Sequence, residues 1–191
     1  MQASTRDRLL AAAAEEIAQV GWDAARTRSV AARAGVNPGV VHYHFESMEA
    51  LLLEAASRAM MAAVEGPAAV LLDEPRFVTA VAESLRLLTE MDMTGPQGRI
   101  LFEIMVQSQR RPDVERMISQ VLAGYREALV DRVRRDVAAG ELPAAVDPVG
   151  MAQLVAALLD GVALHRYVDP DVDFTPLVTE IVRMIGGPED E

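Results

Sequence analysis

Nowhere in this chain do four or more residues alternate between apolar and polar within a stretch enriched in β-branched side chains. Half-buried strands need that period of two, so the chain is left with helices. The strong helix formers Ala, Leu, Arg, Glu and Met dominate the sequence. The fold class expected is therefore all-α.

Stop and start signals then divide the chain into about nine helices. Ser4-x-x-Asp7 resembles a capping box and opens the first, with Leu10, Ala13, Ala14, Ile17 and Val20 at helical spacing and Gly21 as its stop. A short helix fits residues 28–34, closed by Gly35. Asn37-Pro38 then reads as N-cap and N1 of the next. Ser47 caps a fourth helix that runs towards Val64 and is expected to end at Gly66-Pro67. Longer segments follow: from Glu74-Pro75 to about Met93, about 97–110, about 113–139 with Gly140 as stop, from Asp147-Pro148 to about Val168, and from Thr175-Pro176 to Gly186-Gly187-Pro188. The tail 188–191 is expected to fray. The pattern is a set of small helices followed by a bundle of long ones.

With 191 residues, 51% of them hydrophobic, the chain can bury a sizeable core in one or two domains. Each apolar run is broken by Arg, Glu or Asp before the ~20 residues that span a bilayer. The charged N-terminus lacks the pattern of a signal peptide. With no cysteine there is neither a disulfide framework nor a thiolate nucleophile or metal site. A cytoplasmic protein without membrane association is expected. The formal charge of −11 argues against nucleic acid when taken globally. Within residues 1–45, however, Arg6, Arg8, Arg26, Arg28 and Arg33 face Asp7, Glu15, Glu16 and Asp23, a balance of +1. The remainder therefore carries −12.

Residues 28–45 carry the functional signal: Arg-Ser-Val-Ala-Ala-Arg-Ala-Gly-Val-Asn-Pro-Gly-Val-Val-His-Tyr-His-Phe. A helix-turn-helix crosses two short helices steeply, which demands a small residue at the crossing, here Ala31. Its turn demands a residue tolerant of positive φ, here Gly35. Val30, Ala34, Val36, Val41 and Phe45 supply the buried wedge. Asn37, Pro38, Gly39, Val40, His42, Tyr43 and His44 remain to face outward, on a surface short enough for a major groove about 12 Å wide.

At this point the sequence resembles the TetR family of bacterial regulators. The match takes in Arg6, Leu9-Leu10-x-Ala12-Ala13, Ile17, Gly21-Trp22, Thr27-Arg28-x-Val30-Ala31, Ala34-Gly35-Val36, Gly39, His42-Tyr43-His44-Phe45, Ser47 and Leu51-Leu52. The resemblance implies a DNA-binding domain over residues 1–50, its motif at about 26–45, and a ligand-binding and dimerisation domain over 51–188. It implies that Thr27 and Arg28 hold phosphates or a base edge. Asn37, Pro38, Gly39 and Val40 would read base edges, and His42, Tyr43 and His44 would grip the backbone. Two positions depart from the family pattern: Met48 stands where a phosphate-holding Lys is common, and His42 where Tyr is commoner. The chain has no lysine, so phosphate contacts fall to Arg, hydroxyls, His and helix N-terminal amides.

For the body, the resemblance implies a cavity and a dimer bundle. Met91, Met93, Phe102, Met105, Tyr125 and His165 read by default as core, since Met fills irregular gaps. As a pocket, Met91, Phe102, Met105, Tyr125, Asp160 and His165 are its candidate lining. Val155, Leu158, Leu159 and Val162 form one apolar stripe and Leu177, Ile181, Met184 and Ile185 another, candidates for the interface of a homodimer. Their alternative is burial within one chain. His42 and His44, two apart on a helix, face away from each other and cannot chelate one ion. Asp169-x-Asp171-x-Asp173 imitates a calcium loop but has Phe174 where that loop needs glycine. No metal and no cofactor is expected. Nor does a nucleophile–base pair, a pair of catalytic carboxylates or a phosphate-cradling loop stand out, so no enzyme is expected.

The reading is a sequence-specific regulator, a repressor released from a roughly palindromic double-stranded operator by a small-molecule effector. The alternatives are a helical ligand-binding or enzymatic protein with a vestigial motif, or an architectural DNA binder. The acidic balance disfavours the last.

Overall fold

The computed structural model describes residues 3–186, so the stop at 187–188 and the tail lie outside the described residues. Among them there are nine α-helices and no strand: α1 Thr5–Val20, α2 Thr27–Arg33, α3 Pro38–His44, α4 Met48–Asp73, α5 Phe77–Glu90, α6 Pro96–Ser108, α7 Pro112–Ala139, α8 Pro148–Val168 and α9 Thr175–Gly186. A 3-10 turn, Trp22–Ala24, joins α1 to α2. The all-α class expected from sequence is what the chain adopts.

The helix starts obey their local signals. Ser4 Oγ accepts from the Asp7 amide at 3.1 Å, and Asp147 Oδ2 accepts from the Gly150 amide at 2.8 Å ahead of Pro148. Gly21, at φ 82°, ends α1 with its amide on the Ile17 carbonyl.

α4 departs from expectation. It does not stop at Gly66-Pro67 but continues to Asp73. A proline inside a helix removes one amide donor and costs about 3 kcal/mol. Distant side chains offset that cost. Buried Ser84 donates from Oγ to the Pro67 carbonyl at 3.0 Å. Buried Arg132 donates to the Leu71 and Leu72 carbonyls, both at 3.2 Å, and to Pro75 at 2.9 Å. The Leu71 and Leu72 carbonyls lie in the last turn of α4, where helix carbonyls lack intrahelical partners, and Pro75 lies just beyond its end. Asp136 Oδ2 accepts from Arg132 Nε at 2.7 Å and balances its charge.

The helices form two compact units that interleave along the chain. The first runs to Ala62 and includes Thr94–Gln120; the second comprises Ala63–Met93 and the described residues from Val121 onward. In the first, α1 packs on α2 and α6, and α2 on α3. Leu9, Ile17, Trp22, Val30, Val41, Leu51, Ile104 and Val114 are its fully buried large side chains. In the second, α5 packs on α8 and α9 around Leu71, Phe77, Val81, Leu85, Leu129, Val133, Val155, Leu159 and Val162. Packing therefore groups α6 and the start of α7 with the helix-turn-helix, although they lie beyond residue 50.

α4 and α8 are long and apolar enough, by length and composition alone, to cross a membrane. Arg58 and Glu65 in α4, and Asp160 and Arg166 in α8, interrupt both apolar runs. In α8 part of the apolar surface is accounted for by Ala152, Val155, Ala156, Leu159 and Val162, which are buried in the second unit.

Replacing Arg132 by Ala would leave Asp136 as an uncompensated buried charge and strip three carbonyls of their donor. Urea unfolding should show a loss of about 3–5 kcal/mol. Arg132→Met combined with Asp136→Leu should recover most of it.

Candidate nucleic-acid interface

α2 and α3 are seven residues each, and local chemistry sets both ends. Gly35, at φ 67°, makes the turn, and the Val36 amide bonds back to the Ala31 carbonyl at 3.0 Å. Asn37 is the N-cap of α3, with Pro38 at the first helical position. Its side chain makes no capping bond, so the amide is not used up by the helix start.

Val30, Ala31, Ala34, Val41 and Phe45 are buried, as the wedge requires, and Val36 is half-buried. Arg33 fixes the end of α2 to α1, with Nη2 3.0 Å from buried Glu16 and 2.7 Å from Gln19 Oε1, and Nη1 3.3 Å from Glu15. Outward from this frame, Asn37, Pro38, Gly39, His42 and Tyr43 are exposed, while Val40 and His44 are half-buried. Tyr43 is 85% exposed, and its ring meets His44 edge-on at 5.1 Å. A large aromatic held this far out, beside a histidine, does not serve the chain's own core.

Most arginines of the region are already engaged. Arg6 pairs with Glu54 at 2.5 Å and lies over the Phe45 ring; Arg58 pairs with Asp7 at 2.6 Å. The Asp7 carboxyl is held below its ordinary pKa, first by the hydrogen bond from Arg58 and then by that from Ser4. Arg26 donates to backbone carbonyls. The Arg28 guanidinium is exposed and has no hydrogen bond or ion pair among the described residues. It is a cation available to a phosphate, next to half-buried Thr27 at the start of α2.

The candidate ligand residues divide between the two units. Met91 and Tyr125 are partly buried against the core of the second unit, whereas Asp160 and His165 are exposed. Phe102 and Met105 belong to α6, in the first unit. Burial and then the negative charge of Asp160 push the Tyr125 hydroxyl up to about 12. Asp160 keeps an exposed surface, and partial desolvation by the helices around it raises its carboxyl above its ordinary pKa, against the pull of Arg126. Two clefts of the second unit have ligand-sized volumes. One of about 510 Å³ lies along Arg126, Val130, Arg134, Val149 and Gln153, and one of about 450 Å³ along Arg86, Arg166, Phe174 and Val178. None of the six candidates lines either cleft.

The apolar stripes proposed for dimerisation turn inward. Val155, Leu159 and Val162 are buried in the chain's own core, and Leu158, Leu177, Ile181 and Ile185 pack partly against it. Of those eight residues Met184 is the exposed one, at 74%. A different seam faces out on α8, with Leu154 and Leu164 about half exposed and Val168 at 74%. Ala157 and Gly161 complete its alternation of three and four.

The acidic loop serves itself. Asp169 Oδ1 accepts from the Asp171 amide, and Asp173 Oδ1 from the Thr175 amide; hydrogen bonding from the Thr175 side chain first, and then from that amide, holds the Asp173 carboxyl below its ordinary pKa. Among the described residues no group of three or more His, Asp or Glu is placed to hold a metal ion.

A short helix pair locked by an apolar wedge, presenting an aromatic helix face and an unpaired arginine, defines a DNA-binding head. Comparison with known proteins agrees. The family model for bacterial regulatory proteins of the tetR family matches residues 9–55, and that for the C-terminal part of BetI-type transcriptional repressors matches residues 74–183. The chain belongs to the TetR family of DNA-binding transcriptional regulators. It is 28% identical to the HTH-type transcriptional regulator UidR of Escherichia coli, over 96% of this chain and 92% of that one. It is 26% identical to an uncharacterised HTH-type transcriptional regulator of Mycobacterium tuberculosis, over 92% and 91%. The solved structure of Salmonella enterica GusR superposes with a TM-score of 0.73 at 27% identity, covering 95% of this chain and 93% of that one. As a family, such regulators bind operator DNA, dimerise and bind small-molecule ligands.

Replacing Tyr43 by Ala should weaken operator binding by about 1–3 kcal/mol in a fluorescence-anisotropy titration. Thermal stability should stay within about 0.5 kcal/mol, because the side chain is exposed. Arg28→Ala should reduce the slope of log K against log salt by about one, the signature of one lost phosphate contact.

Proposed function

We propose that the protein is a homodimeric repressor that sits on a roughly palindromic operator and leaves it when a small molecule binds. The observation that carries the reading is the outward face of α3, with Tyr43 85% exposed, together with the unpaired, exposed Arg28 of α2. Thr27 and Arg28 hold the backbone. Asn37, Pro38, Gly39 and Val40 read base edges, and His42, Tyr43 and His44 seat the end of the helix. The match to a repressor-type C-terminal family supports repression as the sign of control. The protein acts in the cytoplasm, by binding and not by catalysis.

Residues 1–50 then form the DNA-binding domain and 51–188 the domain for effector and partner. Two copies pair through the outward seam of α8, Leu154, Ala157, Gly161, Leu164 and Val168, and through the exposed Val182 and Met184 of α9. The two heads enter successive major grooves, so the half-sites lie about one helical turn apart, or a multiple of it. We place effector contacts in the second unit, among Met91, Tyr125, Asp160 and His165. Phe102 and Met105, in the first unit, are not part of that proposal. The effector acts by binding the off-operator conformation more tightly; a ligand with equal affinity for both states would release nothing.

Selecting operators from a random duplex library with the purified protein should yield an inverted repeat. A compound that releases the operator must in turn bind more weakly to the operator-bound protein, by the same factor. A bound compound whose affinity is indifferent to operator DNA would overturn the release mechanism. Leu164→Asp, at an exposed position, should leave the helical content intact while sedimentation shows a monomer at micromolar concentration and operator affinity falls. A variant that stays dimeric would remove this seam from the interface.

A further inference from the structure

The segment that binds DNA is bracketed by two short stretches, and one row of residues holds both. On the entry side stand Trp22 and Asp23, just ahead of α2. On the exit side stands Glu49, in the first turn of α4 just after α3. Glu103 and Gln107 of α6 and Arg111, immediately before α7, succeed one another at intervals of four. All belong to the first compact unit.

Their hydrogen bonds close a circuit around the buried indole of Trp22. The Trp22 amide donates to Glu103 Oε1 at 2.9 Å. The same oxygen accepts from Gln107 Nε2 at 3.0 Å. Gln107 Oε1 accepts from Arg111 Nε, also at 3.0 Å. Arg111 Nη1 donates to Glu49 Oε1, and that oxygen also accepts from Trp22 Nε1 at 3.3 Å. Arg111 Nη2 reaches Asp23 Oδ1 at 2.8 Å, and its guanidinium lies 5.5 Å over the indole centroid. Gln107 is buried, Arg111 and Glu49 are partly exposed and Asp23 lies in solvent, and a hydrogen-bonded network anchored on a buried group holds one arrangement more firmly than apolar contact alone.

We propose that Glu103, Gln107 and Arg111 are positioning residues for operator binding: they clamp the entry and exit of the helix-turn-helix and so set the angle at which α3 is offered to the groove. None of them touches DNA in this account. Each end of residues 27–44 has its own hold, through Trp22 and Asp23 on one side and Glu49 on the other, and Arg111 joins the two alongside the bond from Trp22 Nε1 to Glu49. Removing Arg111 leaves the circuit's link between entry and exit to that 3.3 Å bond and leaves Asp23 and Glu49 without their cation. Removing Glu103 frees the Trp22 amide. Because a Gln side chain keeps an oxygen that can accept from that amide, Glu103→Gln is the conservative variant.

The proposal rests on the two-headed dimer reading, and the test separates the two. Wild type, Glu103→Ala, Glu103→Gln and Arg111→Ala are titrated with the selected operator and with versions carrying one base pair more or fewer between the half-sites. Trp22 is the only tryptophan of the chain, so its fluorescence reports whether the head is folded in each variant. The expected result is a folded head, about tenfold weaker binding at the native spacing for both alanine variants, and loss of the preference for that spacing. Glu103→Gln should stay close to wild type. Variants that keep the wild-type affinity and spacing preference would overturn the clamp. So would an affinity loss equal at every spacing that Gln does not rescue, whether or not the alanine variants fold. A wild-type protein indifferent to spacing would instead overturn the two-headed reading, and this proposal with it.

Discussion

A helix of seven residues has too few internal hydrogen bonds to outlast its entropy cost, since isolated helices need about 12–15 residues to be even marginally stable in water. α2 and α3 are both that short. Their geometry is therefore borrowed. Val30, Ala31, Val41 and Phe45 hold the pair together from inside, and Arg33 ties the end of α2 to Glu15, Glu16 and Gln19 of α1. α1 in turn rests on α6. Whatever α3 does in a groove depends on helices that never enter it.

The electrostatics follow the same economy. In an acidic chain without lysine, a DNA-binding surface cannot rely on a broad positive field. Arg6, Arg33 and Arg58 are bound to carboxylates of the head itself, where they serve the frame. In the helix-turn-helix Arg28 is an exposed guanidinium with no hydrogen bond or ion pair among the described residues. Binding built on few phosphate contacts and a close-fitting helix face has weak non-specific affinity, which favours discrimination between sites.

What could be read from sequence was what local chemistry decides. Gly35 at positive φ, Asn37-Pro38 at a helix start and Asp147-Pro148 at another act through neighbouring residues, and the structure places each where those rules put it. The exposure of Tyr43 followed from the same motif. The passage of α4 through Pro67 was not legible, because the groups that offset the proline come from elsewhere: Ser84 is 17 residues away from it, and Arg132 is 61 from Leu71. The outward face of α8 was not legible either. Leu154, Val155, Leu158 and Leu159 make the helix apolar nearly all round, and periodicity alone cannot say which stripe the chain keeps for itself. The polar circuit at Trp22 left only the spacing of Glu103, Gln107 and Arg111 as a trace, and such a row usually marks a solvated helix face. The partition of the candidate effector residues between two units had no local signal at all.

The central claim is that the face of α3 reads duplex DNA in pairs of half-sites. Hydroxyl-radical footprinting of the purified protein on a selected operator tests it most directly. The account predicts two symmetric protected patches about one helical turn apart, or a multiple of it, present with wild type and absent at the same concentration with Tyr43→Ala. Continuous protection without symmetry, or an unchanged footprint with the Tyr43 variant, would contradict it.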